Sequence, residues 1–183
     1  ANGRARRQMG IAHIPEDRQT AGLIMPFMAW ENIAFGYHER AAYQAGATLM
    51  DNAAIQKDCA EKMAQFDIRP PDIMLPARNF SGGNQQKIVV AREMAHTPDL
   101  LLIGQPTRGV DIGAIEFIHR QIIALRDQGC AILLVSVELD EIMGLADRVA
   151  VMFDGQIMGE RDAAKTDEAE LGLLMAGLTK GAA

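Results

Sequence analysis

The chain has 183 residues, 49% of them hydrophobic, and a formal net charge of −6. That length accommodates a domain with a sizeable core, and the acidic balance argues against a nucleic-acid partner, which would require a basic face. No apolar run approaches the ~20 residues that span a bilayer, and no apolar stretch of the secretory-signal kind follows the basic start at Arg4, Arg6 and Arg7.

In chain order, the partly apolar run Gly10–Ile14 predicts a strand ending at Pro15. Pro15 to Gly22 is polar and bounded by Pro and Gly, so it reads as a loop. Residues 29–37 predict a short helix. Residues 51–66 predict a longer one, with Ile55, Cys59, Met63 and Phe66 at helical spacing and Arg69-Pro70-Pro71 as its stop. Ser81 is the expected N-cap of a helix running to about His96.

Leu100–Ile103 is a continuous apolar run, predicting a strand buried on both faces, and Ala131–Val135 predicts another. Helices are expected over 112–128, closed by Gly129, and over 138–145. Arg148–Phe153 predicts a strand, with Asp154-Gly155 as a hairpin turn into Gln156–Gly159. A last helix spans about 167–175 with Thr166 as its expected cap. The second half alternates strand and helix, the pattern of an α/β protein with a largely parallel sheet. The mostly helical stretch between about Met25 and Arg78 reads as a subdomain inserted between sheet strands.

The stretch that carries chemistry is Asn79-Phe80-Ser81-Gly82-Gly83-Asn84-Gln85-Gln86-Lys87. A hydroxyl and two glycines at a helix start form an anion site: first-turn N–H groups are unpaired, the dipole is positive, and glycine admits a phosphate to the backbone. The same residues also serve as an ordinary cap and turn.

Context decides between the two. The order of this helix, Pro98-Asp99, an apolar strand and Pro106-Thr107 resembles ABC-type ATPases across nearly the whole chain. Phe80-Ser81-Gly82-Gly83-Asn84 resembles their signature helix start. The resemblance implies a P-loop NTPase-like ABC ATPase domain with an inserted helical subdomain. It also implies that Ser81, Gly82, Gly83 and Asn84 contact ATP held by another ABC domain, with Mg²⁺ present in the assembled dimer. No GxxxxGK[ST] occurs, so the expectation is a domain lacking its N-terminal, phosphate-cradling part. The start at Ala1 rather than Met fits a chain beginning inside a longer polypeptide.

In the family's pattern, Glu16 of Pro15-Glu16-Asp17-Arg18 stands at the Q-loop position and offers an oxygen to Mg²⁺; a solvated charged loop is the plainer reading. Gly104 stands where the family has the Walker B Asp, and Gln105 where it has the catalytic Glu. Gly104 has no ligand atom, and Gln105 orients a water without accepting its proton. Val137 stands at the switch-His position and has no polar side-chain atom. Asp111 fits the D-loop that faces the partner domain, and equally a cap for the next helix. No catalytic or metal-binding position is therefore expected to be intact.

Cys59 and Cys130 lack metal-ligand spacing and read as reduced thiols of a cytosolic protein. The four histidines, His13, His38, His96 and His119, read as surface or helix-end residues. Met25, Phe27, Met28 and Trp30 form an apolar cluster that reads either as core or as the groove for a membrane subunit's coupling helix.

The segments Gln105–Ala114, Glu138–Ile142 and Glu170–Gly177 look like the second ATPase domain of fused sugar and nucleoside importers, with Gln105-Pro106-Thr107-Arg108-Gly109 closest to the nucleoside type. The implied partners are another ABC domain, transmembrane permease subunits and, indirectly, an extracellular solute-binding lipoprotein. The implied place is the cytoplasmic face of a bacterial membrane. The expected division is one partial ABC domain over 1–183. It comprises a helical subdomain with the signature over about 25–97, the rest of the α/β core over about 98–160, and a helix and tail over about 161–183. A non-hydrolytic regulatory or structural ABC-like module is the alternative.

Overall fold

The computed structural model describes residues 2–46 and 49–178; the part of the expected tail beyond Leu178 lies outside the described residues. Two compact units divide the chain, Ala1–Val135 and Ser136–Ala183.

The first unit opens on a helix that the sequence reading missed. Asn2 caps α1 (Gly3–Gln8) by accepting the Ala5 N–H at 2.9 Å. Arg6 and Arg7 fall in its last turn, where cations meet the negative end of the helix dipole. β1 (Ile11–Ile14) follows. The expected loop then winds into a short π-helical turn, Arg18–Gly22. The cause is Asp17, whose carboxylate accepts from the N–H groups of Gln19 and Thr20 at 2.9 and 3.2 Å. The Thr20 hydroxyl and then these two N–H groups hold the Asp17 carboxyl below its ordinary pKa.

α2 (Ala29–Ala34) is shorter than expected because Gly36, at φ 82°, turns the chain away. β2 (Gln44–Ala45) and β3 (Leu49–Met50) pair antiparallel. α3 (Asn52–Gln65) starts where Asp51 accepts the Ala54 N–H at 2.9 Å. Its Ile55, Cys59 and Met63 are buried as the spacing predicts.

α4 (Gly82–Met94) is the central helix, buried on all sides from Gln85 to Met94. Its polar residues therefore need partners. Gln85 donates to the carbonyls of Ala77 and Phe80 and accepts from Gln19. Lys87 donates to the Asp67 carbonyl at 2.9 Å and lies over the Phe117 ring. Glu93 takes the Tyr37 hydroxyl and the Arg92 Nε, each at 2.8 Å.

β4 (Leu100–Gly104), α5 (Ile112–Asp127) and β5 (Ala131–Val135) complete this unit. β1, β4 and β5 form an all-parallel sheet in that order, with Ile14 beside Ile103 and Gly104 beside Val135. β4 buries only Leu101 and Ile103 fully; Leu100 and Leu102 are half-buried. The expected burial of β5 is corrected more strongly. It is an edge strand of this sheet, with Leu133 58% and Val135 59% exposed. An apolar run specifies a strand, but burying all its side chains needs a covering layer on each face, and the alternating exposure of β5 shows one face uncovered among the described residues.

In the second unit α6 (Leu139–Leu145) precedes β6 (Arg148–Phe153) and β7 (Gln156–Asp162). β6 pairs antiparallel with β7 through Asp154 and Gly155, both at positive φ (45° and 75°), the backbone of a tight hairpin turn. A two-residue connection places β7 beside β6 at little loop-closure cost. α7 (Glu168–Met175) is capped by Asp167 accepting the Glu170 N–H, not by Thr166 as expected; the Thr166 hydroxyl donates instead to the Glu170 carboxylate. Val149, Val151, Ala163, Leu171 and Leu174 form the core of this unit.

Candidate nucleotide-contacting site

Parallel strands deliver their following loops to one edge of the sheet, the usual ligand edge of α/β folds. Glu16 follows β1, and Gly104-Gln105 closes β4. The two are neighbours: a Cβ on Gly104 would lie 3.4 Å from the Glu16 nitrogen. Gln105 holds a left-handed backbone (φ 46°), unusual for a residue with a side chain, while its N–H donates to the Val135 carbonyl at 2.8 Å. Val137 belongs to the second unit, where it is 64% exposed.

The second component is the start of α4. Ser81 has the extended backbone of an N-cap, and its Oγ accepts the Asn84 N–H at 3.4 Å and the Asn84 Nδ2 at 2.9 Å. With both lone pairs engaged, the exposed hydroxyl is left to donate, as a phosphate oxygen requires. Asn84 is itself braced, its Oδ1 accepting the Arg69 N–H at 2.7 Å. The first-turn N–H groups of Gly82 and Gly83 lie outside the helical ladder, so the turn offers donors backed by the dipole of a 13-residue helix.

Both glycines are also demanded by internal packing. A Cβ on Gly82 would stand 2.7 Å from Arg18 Nη2 and 3.0 Å from the Gly109 carbonyl oxygen. On Gly83 it would stand 2.7 Å from Asp111 Oδ2 and 3.1 Å from the Ala114 Cβ. Asp111 caps α5 through the Ala114 N–H at 3.0 Å, as the plainer reading of that residue expects.

The sequence reading gave no role to two arginines that the structure brings to these loops. Arg18 donates from Nη1 to the Arg108 carbonyl at 2.7 Å and from Nη2 to the Gly109 carbonyl at 3.1 Å. Arg108 reaches back to Glu16 Oε1 at 2.6 Å. Their presence in the two loops flanking the candidate acids was the available signal. The Arg108–Glu16 pair is 65% and 59% exposed, so it contributes under ~1 kcal/mol. Arg18 is the more buried cation, and desolvation lowers its pKa.

These residues do not fit a magnesium ion. Gly104 offers no side chain, Gln105 a neutral amide, and the Glu16 carboxylate is engaged by Arg108. Among the described residues no three His, Cys, Asp or Glu gather into a metal site. The donor set does fit a phosphate oxygen: Ser81 Oγ and the glycine N–H groups, with the Arg18 cation behind them, its fork already engaged by two carbonyls, and the Asp111 and Asp17 carboxylates as opposing charges.

A parallel sheet with a capped, glycine-started helix beside its loop edge defines a class: the fold is that of the ABC transporter cassette, a P-loop NTPase-like α/β domain. It matches the ATP-binding cassette MJ0796 in a dimeric, post-hydrolysis state bound to ADP and Pi. That match has a TM-score of 0.70 at 22% identity, over 87% of this chain and 65% of that one. Among curated proteins the chain is similar to the guanosine import ATP-binding protein NupO of Bacillus subtilis, at 46% identity over 94% of this chain and 34% of that protein. It is 44% identical to the nucleoside import ATP-binding protein NupA of Lactococcus lactis subsp. cremoris, over 93% and 33%. It is 38% identical to a ribose import ATP-binding protein, RbsA 1 of Rubrobacter xylanophilus, over 93% and 34%. The chain thus spans about a third of the length of these relatives. No family model matches it. Among the described residues no helix is long and apolar enough to cross a membrane.

Proposed function

We propose that this chain is part of the ATP-binding subunit of an ABC importer and completes the ATP site of a partner ABC domain. Ser81, Gly82, Gly83 and Asn84 present the α4 turn to the γ-phosphate of a nucleotide whose P-loop belongs to that partner. The observation that carries this reading is the Ser81 hydroxyl, braced twice by Asn84 and left to donate beside two N–H groups at the helix start.

The chain's own half-site is degenerate under this reading. Gly104 has no side-chain atom to ligate a metal, Gln105 has an amide that cannot act as a general base, and Val137 has no polar side-chain atom, so under this reading the partner domain provides Mg²⁺ binding and hydrolysis. Asp111 then serves the D-loop as well as its cap. Similarity to guanosine, nucleoside and ribose import proteins supports a nucleoside or simple sugar as cargo. An import role is consistent with transmembrane permease subunits as partners and a place at the cytoplasmic membrane face; an extracellular solute-binding lipoprotein is a further part of the proposal. Phe27, 42% exposed, with half-buried Met25 and Met28, supports the coupling-helix groove; Trp30 packs on the Ala34, Tyr37, Tyr43 and Ile55 core. The helical subdomain is taken as about 25–97, the core as about 98–160, and the helix and tail as about 161–183.

The test is Ser81→Arg in the intact ATP-binding protein with its permease in proteoliposomes. The expected result is a fall of ~100-fold in ATP hydrolysis with loss of uptake, the scale of removing a transition-state donor. The Arg108–Glu16 pair favours the second reading, a non-hydrolytic regulatory module, because it occupies the remaining acid. Hydrolysis unchanged in Ser81→Arg leaves that second reading standing.

A further inference from the structure

We infer that Arg18 is a positioning residue that sets the placement of the signature turn against the Thr107–Asp111 loop. The inference rests on the proposed role of Ser81–Gly83.

Three segments far apart in sequence meet on this guanidinium. Its own loop carries Glu16; its Nη1 and Nη2 hold the consecutive carbonyls of Arg108 and Gly109; and its Nη2 fills the space where Gly82 lacks a Cβ. Consecutive carbonyls face one cation only where the chain bends between them, and Gly109 at φ 65° makes that bend. Two carbonyls and one planar fork match in a way that a point-charge ammonium cannot reproduce. The Arg18 Nε is buried without a partner among the described residues, a cost that the fold retains to keep the fork in place.

The clasp is closed from the other side. Arg108, whose carbonyl Arg18 holds, returns its own side chain to Glu16. Two residues beyond Gly109, the Asp111 carboxylate abuts Gly83. A displacement of the Glu16 loop is therefore carried by Arg18 to the Gly109 carbonyl and to Gly82 at once. Both faces of the Gly82-Gly83 pair are set by groups that move with this clasp, so Arg18 acts on the nucleotide through the glycines and does not touch it.

The experiment compares Arg18→Ala, Arg18→Lys and Ser81→Arg in the intact ATP-binding protein with its permease, reading kcat, KM for ATP and the thermal unfolding midpoint. Arg18→Ala is expected to lower kcat by about tenfold to a hundredfold, the scale of a sub-ångström misplacement, with KM for ATP and the unfolding midpoint nearly unchanged. Arg18→Lys is expected to track Arg18→Ala, since it restores the charge without the fork. If Arg18→Ala does not fold, Arg18→Lys carries the comparison alone. Unchanged kcat in either variant, full recovery in Arg18→Lys, or a lowered midpoint with kcat per folded molecule preserved overturns the inference. Loss of hydrolysis in Ser81→Arg together with intact Arg18 variants sinks this inference only; intact hydrolysis in Ser81→Arg sinks the reading beneath it.

Discussion

Gly83 and Asp111 are packed so closely that a Cβ on the glycine would stand 2.7 Å from the Asp111 Oδ2. The contact joins the start of α4 to the cap of α5, because the other oxygen of the same carboxylate accepts the Ala114 N–H. A glycine that looks reserved for a ligand is thus also required by the protein's own packing. Gly83→Ala is expected to destabilise the fold by ~1–3 kcal/mol through overpacking. Asp111→Ser, a shorter side chain that still caps, is expected to return part of that loss in the double variant. Urea unfolding of the two single variants and the double variant measures the coupling; simple additivity contradicts the steric account.

Asn32 governs the entry to the helical region. It is fully buried, accepts the Ile24 N–H at 2.8 Å, and donates to the carbonyls of Ile24, Phe27 and Met28 at 3.1, 3.2 and 3.1 Å. Asn32→Leu fits by size but strands a backbone donor at Ile24. The expected cost is ~2–4 kcal/mol by denaturant titration, with increased hydrogen exchange across Ile24–Met28. A loss below the error of the titration removes Asn32 from the stabilising network.

Glu93 is the buried charge on which α4 depends. It is 1% exposed, bonded to the Tyr37 hydroxyl and to Arg92 (3% exposed), with Arg7 at 3.7 Å. Burial, then the adjacent Glu93 charge, push the Tyr37 phenol above its ordinary pKa, so it remains a donor. Glu93→Leu leaves Arg92 buried without its carboxylate and is expected to cost ~3–5 kcal/mol. Tyr37→Phe removes one charged hydrogen bond and is expected to cost less, ~1.5–3 kcal/mol. Equal costs for the two would place the stabilisation in packing.

His96 gives the fold a pH dependence. Its ring lies 4.6 Å from that of Tyr37. Burial first, then the cations of Arg40 and Lys62, lower its pKa from 6.5 to about 4, against the opposing pull of Asp58. Its contribution is therefore fully present above pH 6.5. As pH falls from there to about 4, the unfolded chain takes a proton that the native state refuses, and stability is lost. For this partly solvated ring the loss at mildly acid pH is ~1 kcal/mol after screening. Chemical unfolding of wild type and His96→Phe through that window should show a flatter profile in the variant; parallel profiles exclude His96 as the source.

Local signals in the chain decided several boundaries, although the cap of α7 is Asp167 and not Thr166. Ser81 and Asp111 cap the helices expected of them, because a cap bond spans only three residues. Asp154-Gly155 turns its hairpin for the same reason. The Ser81-Gly82-Gly83 element was legible as a motif from its residue types and order.

What the chain could not state is what lies beside each element. Apolarity predicts a buried β5, yet among the described residues β4 is its one strand neighbour and alternate side chains lie exposed on one face. The clasp of Arg18, Arg108 and Glu16 joins residues about ninety positions apart, and no periodicity records such a contact. Residue types alone determined most of the caps and turns and most of the strand and helix sequence, because each depends on covalent neighbours. Only the tertiary structure decided that Gly82 and Gly83 answer to Arg18 and Asp111 and that Glu16 answers to Arg108, because short-range forces act on distances in space that the order of residues does not contain.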